Sequence, residues 1–169
     1  HYFSNNKYFS YSLNNKESDF YATNIQLINH QYNFTLVTPE GIIDDISLKM
    51  SGIINLENTI AASAACIIAG VKQQEIKEAI QSFTGIKRRM ELILNTDKNI
   101  YYDDYAHHPE EVNAAISSIK AIYPDKKLTV VFQPHLYSRT KDFTKGFAES
   151  LDMADDIIFL DIYPAREKP

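Results

Sequence analysis

The sequence has few of the residues that define specialised scaffolds. It contains one cysteine, Cys66, and no tryptophan. A single cysteine excludes a disulfide framework and argues against a cysteine-based zinc site. Because Cys66 lies in an apolar helical segment, we expect a buried, unreactive thiol. The longest apolar run, residues 60–71, is too short and too rich in alanine and serine to cross a bilayer, so we expect no membrane partner.

Positive charge is also scarce. The 17 lysines and arginines are outnumbered by 22 acidic residues, which gives a net charge of -5. No basic stripe is present to neutralise phosphates, so we expect no nucleic-acid partner. The hydrophobic fraction of 44% fits a globular chain of one medium domain or parts of two. The chain starts at His1 without an initiator methionine, and we interpret it as an internal piece of a longer protein.

The first half of the sequence reads as strands followed by helices. β-branched and alternating apolar residues predict a meander, and the Pro-Glu-Gly turn at residues 39–41 separates its last two strands. The period then changes to that of a buried, alanine-rich helix, with Gly70 just beyond its end, and of an amphipathic helix. The predicted strands cover residues 20–28, 32–38 and 42–50, and the predicted helices cover residues 56–70 and 73–83.

The second half predicts a βαβαβ unit and therefore a parallel sheet, so the fold class is mixed α/β. The strand at residues 128–132 is nearly all apolar, as is typical of a parallel strand covered on both faces. We place a domain boundary near residues 92–98. The predicted strands cover residues 100–105, 128–132 and 157–162, and the helices between them cover residues 109–123 and 140–151.

Polar residues follow two of these strands, at the points where each strand ends. In open α/β sheets, ligands bind beyond the carboxyl ends of the strands. After the first strand the chain reads Asp-Tyr-Ala-His-His-Pro, and Pro109 suits the first position of a helix. After the second it reads Gln-Pro-His-Leu-Tyr-Ser-Arg-Thr. We therefore expect two loop tips to lie side by side and to share a cleft. The candidate site residues are Asp104, Tyr105, His107, His108, His135 and Arg139.

These two motifs, together with three further segments, resemble the Mur ligases of peptidoglycan synthesis. The further segments are Gly52 with Asn55 and Asn58, residues 85–91 and residues 161–167. All five are collinear with the family pattern. The second motif is similar to that of the alanine-adding branch, as opposed to the branch that recycles murein peptides. The chain departs from the pattern at Ile54, where histidine is usual, and at Leu136, where arginine is frequent.

The resemblance implies a fold and a reaction. Residues 1–93 would form the back half of a central ATPase domain, and residues 94–169 the start of a dinucleotide-fold-like C-terminal domain. The expected protein is a cytoplasmic ligase that uses ATP and Mg²⁺ to join L-alanine to UDP-N-acetylmuramate through an acyl phosphate. No segment matches Gly-x-x-x-x-Gly-Lys-[Ser/Thr], so the phosphate loop and Mg²⁺ ligands are expected outside this chain, and the chain alone is expected to be inactive.

The resemblance also implies nucleotide contacts. Arg89 would contact the γ-phosphate, although residues 87–89 also fit a solvated basic face. Asn55 and Asn58 would contact adenine, although Asn55 also fits a helix N-cap. Asp104 would bind the ribose, as carboxylates do in dinucleotide folds. Tyr105 would line the nucleotide cleft or merely pack.

The resemblance implies that the remaining candidates bind the amino acid. His107 and Arg139 would face the amino-acid carboxylate, with His108 and His135 beside them, although His108 also fits a helix brace. Two solvent-facing loop histidines and a metal site are the alternatives for the histidine pair, and we predict no metal site. A non-catalytic nucleotide-binding module is the alternative for the chain as a whole.

Overall fold

Alternating apolar residues build a four-stranded sheet in the first part of the chain. The computed structural model describes residues 8–168 and divides into two compact units, one ending at Gly85 and the other beginning at Ile86. The sheet order is β1-β2-β3-β4; β1 pairs with β2 in parallel, and the other pairs are antiparallel. The first unit contains β1 (Tyr11–Ser12), β2 (Phe20–Ile28), β3 (Gln31–Thr38), β4 (Gly41–Leu48), α1 (Ile53–Ile68) and α2 (Gln73–Ser82).

The core of this unit lies between the sheet and its helices. Leu36 and Ile46 from the sheet are fully buried with Leu56 and Ile60 from α1. The strands, the Pro-Glu turn between β3 and β4, and both helices confirm the sequence-based assignment to within a few residues.

Helix α1 ends where the sequence predicts. Gly70 has a φ of 89°, which glycine adopts without the steric cost of a Cβ. Its N–H donates to the Ile67 carbonyl at 2.9 Å, and the Val71 N–H donates to the Cys66 carbonyl at 3.0 Å. These two bonds form a Schellman motif, so Gly70 stands at C′ as expected.

The burial predicted for Cys66 was wrong. Helix α1 buries one face, and Cys66 lies outside this face, where it is exposed. The sequence did not indicate the exposed face, because apolar residues such as Ile54 and Ile68 lie on it as well. The buried face consists of Asn55, Leu56, Ile60, Ser63, Ala64 and Ile67.

The second unit is a mixture of short strands and helices. It contains β5 (Glu91–Asn95), β6 (Ile100–Asp103), α3 (Pro109–Ile122), β7 (Thr129–Phe132), α4 (Tyr137–Asp142), α5 (Thr144–Leu151) and β8 (Asp156–Phe159). The predicted helix at residues 140–151 is thus two helices that meet at Phe143. Since β5 pairs with β6, the strand that contains residue 93 belongs to this unit, and the division between units falls ahead of the predicted boundary.

The predicted three-stranded parallel sheet needs correction. Strands β7 and β8 are parallel neighbours, but β6 pairs antiparallel with β5, and no ladder joins β6 to β7 within residues 8–168. The expectation that β7 is covered on both faces was also wrong. Phe132 is buried against α3 and α5, whereas Val131, on the other face of the same strand, is 58% exposed. Helices cover only one face of this strand pair in the part of the chain that the structure describes.

Helices α3 and α5 approach each other closely. A Cβ placed on Gly146 would lie 2.9 Å from the Cβ of Pro109, so only glycine fits at this crossing. The Ser150 hydroxyl donates to the Pro109 carbonyl at 3.0 Å and fixes the same contact. In the described part of the chain, every helix is too short or too polar to span a bilayer.

Candidate functional site

Two loops of the second unit meet at their tips. The first loop (residues 104–108) connects β6 to α3, and the second loop (residues 133–136) connects β7 to α4. The ring centres of His107 and His135 are 6.4 Å apart. Arg139 Nη1 lies 3.3 Å from His135 Nδ1. His107 and Arg139 therefore both contact His135, and the predicted meeting of the two loop tips is confirmed.

The arginine contact defines the protonation of His135. A guanidinium can only donate, so Nδ1 of His135 accepts and the ring proton of the neutral imidazole lies on Nε2. The His135 ring also stacks against Tyr163, with ring centres 5.5 Å apart. His135 thus places Arg139 and faces His107 at the same time.

Backbone bonds hold the second loop in place. An isolated parallel bridge joins His135 to Tyr163, in which the Leu136 N–H donates to the Tyr163 carbonyl at 2.9 Å. The Glu167 carboxylate accepts the Ser138 N–H at 3.0 Å and the Ser138 hydroxyl at 2.5 Å. These bonds fix the first turn of α4, on which Arg139 lies.

Asp104 connects the first loop to the segment before β5. One oxygen accepts the Met90 N–H at 2.7 Å, and the other accepts the Ala106 N–H at 2.7 Å. Burial raises the pKa of Asp104 above its usual value, and the two N–H donors and the Arg89 charge offset this only in part. The neighbouring Asp103 instead pairs with Arg88, at 3.5 Å, so the two acids have separate partners.

Arg89 lies between two residues with left-handed backbone. Arg88 has a φ of 58° and Met90 a φ of 50°. The Arg88 carbonyl accepts the Tyr105 N–H at 2.8 Å, and Asp104 holds the Met90 N–H, so both flanks of Arg89 are attached to the first loop. The Arg89 side chain itself is 47% exposed and available to a ligand.

Tyr105 packs against its neighbours and keeps one part of its ring open. The Arg88 guanidinium lies 4.9 Å from the ring centre, and the His107 ring centre lies 5.1 Å away. The residue is 43% exposed. Both predicted roles, nucleotide lining and packing, remain compatible with this placement.

Glu111 stands at the centre of the first loop's bonds. Its Oε2 accepts the His107 N–H at 2.9 Å and the His108 N–H at 3.2 Å, and it lies 3.2 Å from His107 Nδ1. Its Oε1 lies 3.9 Å from Arg89 Nη1. Partial burial opposes ionisation, but the N–H donors and the nearby His107 and Arg89 outweigh it, so the pKa of Glu111 lies below its usual value.

His108 is the N-cap of α3. Its Nδ1 accepts the Glu110 N–H at 3.4 Å, and its ring packs edge-on against Phe143 with ring centres 4.7 Å apart. Pro109 follows at the first helical position, as the sequence predicts. The structure thus gives His108 the bracing position that the sequence left open beside substrate binding.

The two asparagines of the first unit have different surroundings. Gly52 is the N-cap of α1, so the N-cap interpretation of Asn55 was wrong. Asn55 is 6% exposed, and its amide nitrogen donates to the Ser51 carbonyl at 2.6 Å. Asn58, one turn further along, is exposed.

Sequence reasoning missed two acids that organise the site. Glu111 stands three residues after an N-cap, the capping-box position, and this spacing could have identified it. Glu167 contacts Ser138 from a distant part of the sequence, and no local pattern indicates such a contact. Within residues 8–168, no three His, Cys, Asp or Glu side chains are grouped to hold a metal ion.

Comparison with known proteins identifies the family. The family described as "Mur ligase middle domain" matches residues 2–66, and the one described as "Mur ligase, glutamate ligase domain" matches residues 88–169. The chain belongs to the Mur ligase family. The resemblance read from the sequence is therefore confirmed, and the mixed α/β fold class agrees with the known structures of Mur ligases.

Several curated Mur ligases are similar in sequence. A UDP-N-acetylmuramate–L-alanine ligase of Phocaeicola vulgatus is 47% identical over 94% of this chain. One of Porphyromonas gingivalis is 44% identical over 95% of the chain. The chain spans 35% of the length of each of these relatives.

Solved Mur ligase structures share the fold. The UDP-N-acetylmuramate-alanine ligase of Thermotoga maritima has a TM-score of 0.76 at 22% identity, over 92% of this chain and 34% of that one. A murein peptide ligase of Psychrobacter arcticus has a TM-score of 0.60 at 29% identity, over 89% of this chain and 32% of that one.

Proposed function

We propose that this chain is part of an ATP-dependent ligase that joins L-alanine to UDP-N-acetylmuramate in the cytoplasm, a step of peptidoglycan precursor synthesis. The observation that carries the proposal is the meeting of His107, His135 and Arg139 at two loop tips. The names of the similar curated proteins support the same reaction.

The loop cluster suits an amino-acid carboxylate. Arg139 presents a fixed cation, because His135 accepts from its Nη1 and Glu167 holds its helix. His107 lies on the other loop, with its ring next to that of His135. A guanidinium and an imidazole that converge on one anion provide the charged hydrogen bonds that select a small amino acid. We assign His107 and Arg139 to this contact, with His135 as the positioning residue between them.

Arg89 and Asp104 suit a nucleotide. Arg89 offers an exposed guanidinium, whose planar fork fits phosphate oxygens. Each Asp104 oxygen already accepts one N–H, but a carboxylate oxygen has a second lone pair, so a ribose hydroxyl can still donate to it. ATP, when bound, supplies the phosphoryl group that activates the muramate carboxylate as an acyl phosphate. Tyr105 borders the same residues.

Some expected contacts stay predictions. The use of Mg²⁺ also stays a prediction; within residues 8–168 no three His, Cys, Asp or Glu side chains are grouped to hold a metal ion. The adenine contact of Asn55 and Asn58 stays a prediction; Asn58 is the exposed member of the pair, whereas Asn55 is buried. The assignment of residues 1–93 and 94–169 to the central and C-terminal domains also stays a prediction.

The test is turnover by a full-length protein that contains this chain. We expect phosphate release from ATP that depends on both UDP-N-acetylmuramate and L-alanine. Arg139→Ala should raise the KM for L-alanine roughly ten- to hundredfold, the value of a charged hydrogen bond. Lys141→Ala is the matched control, since it removes an exposed cation from the same short helix. Equal kinetics for the two variants would contradict the assignment of Arg139.

Each of the two alternative functions predicts a different experimental result. The similarity to a murein peptide ligase structure makes peptide recycling the second candidate, and a murein tripeptide in place of L-alanine would then support turnover. A non-catalytic nucleotide-binding module would bind ATP without ligation. In that case neither Asp104→Ala nor Arg139→Ala would change any ligation rate.

A further inference from the structure

We infer that Glu111 is a positioning residue of the ligase, whose carboxylate sets the His107 imidazole and the Arg89 guanidinium in their working places. This inference rests on the proposed function, in which His107 contacts the amino acid and Arg89 the nucleotide. It assigns a role to a side chain that neither touches substrate nor matches a catalytic motif read from the sequence.

Glu111 contacts His107 at two points. Its Oε2 accepts the main-chain N–H of His107 at 2.9 Å and lies 3.2 Å from Nδ1 of the same residue. One carboxylate oxygen thus contacts both the backbone and the ring of His107. A rotation of the ring about its side-chain bonds would break the second contact, so Glu111 restricts the orientation of the ring.

The same contacts determine the protonation of His107. Nδ1 also lies 2.9 Å from the Tyr105 carbonyl, and a carbonyl can only accept, so Nδ1 carries the ring proton. The Glu111 carboxylate is a second acceptor at the same nitrogen and favours the same tautomer. Nε2 is then the ring nitrogen left for a ligand, and when the ring takes up a second proton Nε2 can donate to the amino-acid carboxylate.

Glu111 also links His107 to Arg89. The other carboxylate oxygen of Glu111 lies 3.9 Å from Arg89 Nη1. Arg89 is on the segment before β5 and His107 is on the first loop, so Glu111 connects the two groups to which the proposed function gives different ligands. Its negative charge attracts both, since each can donate to it.

Glu111 has an ordinary structural role as well, which an experiment must separate. It is the third residue of α3 and completes the capping box with His108. Glutamine keeps a side-chain oxygen that can accept the His107 and His108 N–H groups. It replaces the other oxygen, which lies near Arg89, with an NH₂ group that cannot accept from the guanidinium, and the oxygen kept beside His107 Nδ1 is neutral and a weaker acceptor. Glu111→Gln therefore preserves much of the cap, removes the contact with Arg89 and weakens the contact with the His107 ring.

The experiment uses a full-length ligase that contains this chain, in three variants. Glu111→Gln should lower kcat/KM for L-alanine about tenfold, in line with the loss of one charged hydrogen bond, and leave the KM for UDP-N-acetylmuramate unchanged. Glu110→Gln is the matched control, because it removes the same charge from an exposed neighbour in the same turn. Glu111→Ala should in addition lower the thermal unfolding midpoint, since it removes the cap.

Nitrogen NMR of the His107 ring provides a readout that does not need turnover. We expect the Nδ1–H tautomer in the wild type and in Glu110→Gln, and a larger share of Nε2–H in Glu111→Gln. Wild-type kinetics and an unchanged tautomer in Glu111→Gln, with only the unfolding midpoint lowered in Glu111→Ala, would overturn the inference. If the wild type does not consume L-alanine, the proposed function fails, and the tautomer still decides the role of Glu111.

Discussion

At the scale of single residues, the two central carboxylates have the same number of main-chain donors but differ in burial. Asp104 and Glu111 each accept two backbone N–H groups, yet their pKa values move in opposite directions. Burial dominates for Asp104 and raises its pKa, whereas the N–H donors and nearby charges prevail for Glu111 and lower its pKa. The same chemical group is thus adjusted by depth more than by partner type.

Arg89 lowers the pKa of both acids, which leads to a first prediction. Arg89→Gln should raise the titration midpoints of Asp104 and Glu111 together, because it removes a cation that favours both ionised forms. Carboxyl-carbon NMR measures the two midpoints directly. Lys87→Gln is the control, since Lys87 does not contribute to the pKa shift of Asp104 or Glu111. Unchanged midpoints in Arg89→Gln would show that Arg89 is not held beside these acids.

The opposite pKa shifts also have opposite effects on stability. Glu111, with a lowered pKa, stabilises the fold above the unfolded value of about 4.5 and loses this contribution as pH falls through the folded value. Asp104, with a raised pKa, favours the fold below its unfolded value, and that contribution is lost as pH rises through the folded value. Acidification below about pH 4.5 therefore removes the stabilisation that Glu111 provides, whereas protonation of Asp104 favours the folded state.

A second prediction separates the adjacent acids at the end of β6. Asp104→Ala should lower the free energy of unfolding by about 1–3 kcal/mol, because it leaves the Met90 and Ala106 N–H groups without their acceptor. Asp103→Ala should cost less than about 1 kcal/mol, since it removes only a partly exposed ion pair with Arg88. Urea unfolding of both variants checks the difference, and similar losses would contradict the anchoring role of Asp104.

At the scale of elements, the sequence predicted most helices and strands but not all of their partners. Helices α2 and α3 and strands β2, β3 and β4 follow from periodicity and turn residues. Pairing does not, because the sequence predicted β6 as a member of a parallel sheet and β6 instead pairs with β5 in an antiparallel hairpin. Hydrophobic pattern indicates that a segment is a strand, and it contains no information about which neighbour pairs with it.

The crossing of α3 and α5 gives a third prediction. Gly146→Ala should lower the free energy of unfolding by about 1–3 kcal/mol, because the new Cβ overlaps Pro109. Gly70→Ala is an informative comparison. A Cβ added at Gly70 would meet nothing within 4 Å, so only the φ of 89° opposes the substitution, at a cost of about 1 kcal/mol. Thermal unfolding of both variants measures the two costs, and a neutral Gly146→Ala would show that the helices do not approach so closely.

At the scale of the whole molecule, the site was predicted in part. The motifs correctly predicted that His107, His135 and Arg139 lie close together. The two loops follow β6 and β7, the strands of two consecutive βα units, and such loops lie at the same end of an α/β fold. Glu167 could not be predicted, since its contact with Ser138 joins residues 29 positions apart through the fold. Exposure of Cys66 was also beyond the pattern, because an alanine-rich helix has no polar stripe that marks its outer face.

The share of the relatives that this chain spans leads to a fourth prediction. The chain covers 35% of the Phocaeicola vulgatus ligase and has no phosphate-loop motif. We expect the chain alone to release no phosphate from ATP with UDP-N-acetylmuramate and L-alanine, whereas a full-length protein that contains it turns over. A coupled phosphate assay on both, at equal concentration, makes the comparison. Turnover by the chain alone would contradict the expectation that the phosphate loop lies outside this chain.

The β5–β6 hairpin has the site at one end and its connecting turn at the other. Its open end, where Glu91 pairs with Asp103, leads into Arg89 and Asp104, and its closed end is the Thr96–Asn99 turn. The hairpin is four to five residues long, so the turn lies roughly 13 Å from the site residues. Foreign sequence, such as an epitope or a fluorescent reporter, can therefore be inserted at this tip while Arg89 and Asp104 keep their places.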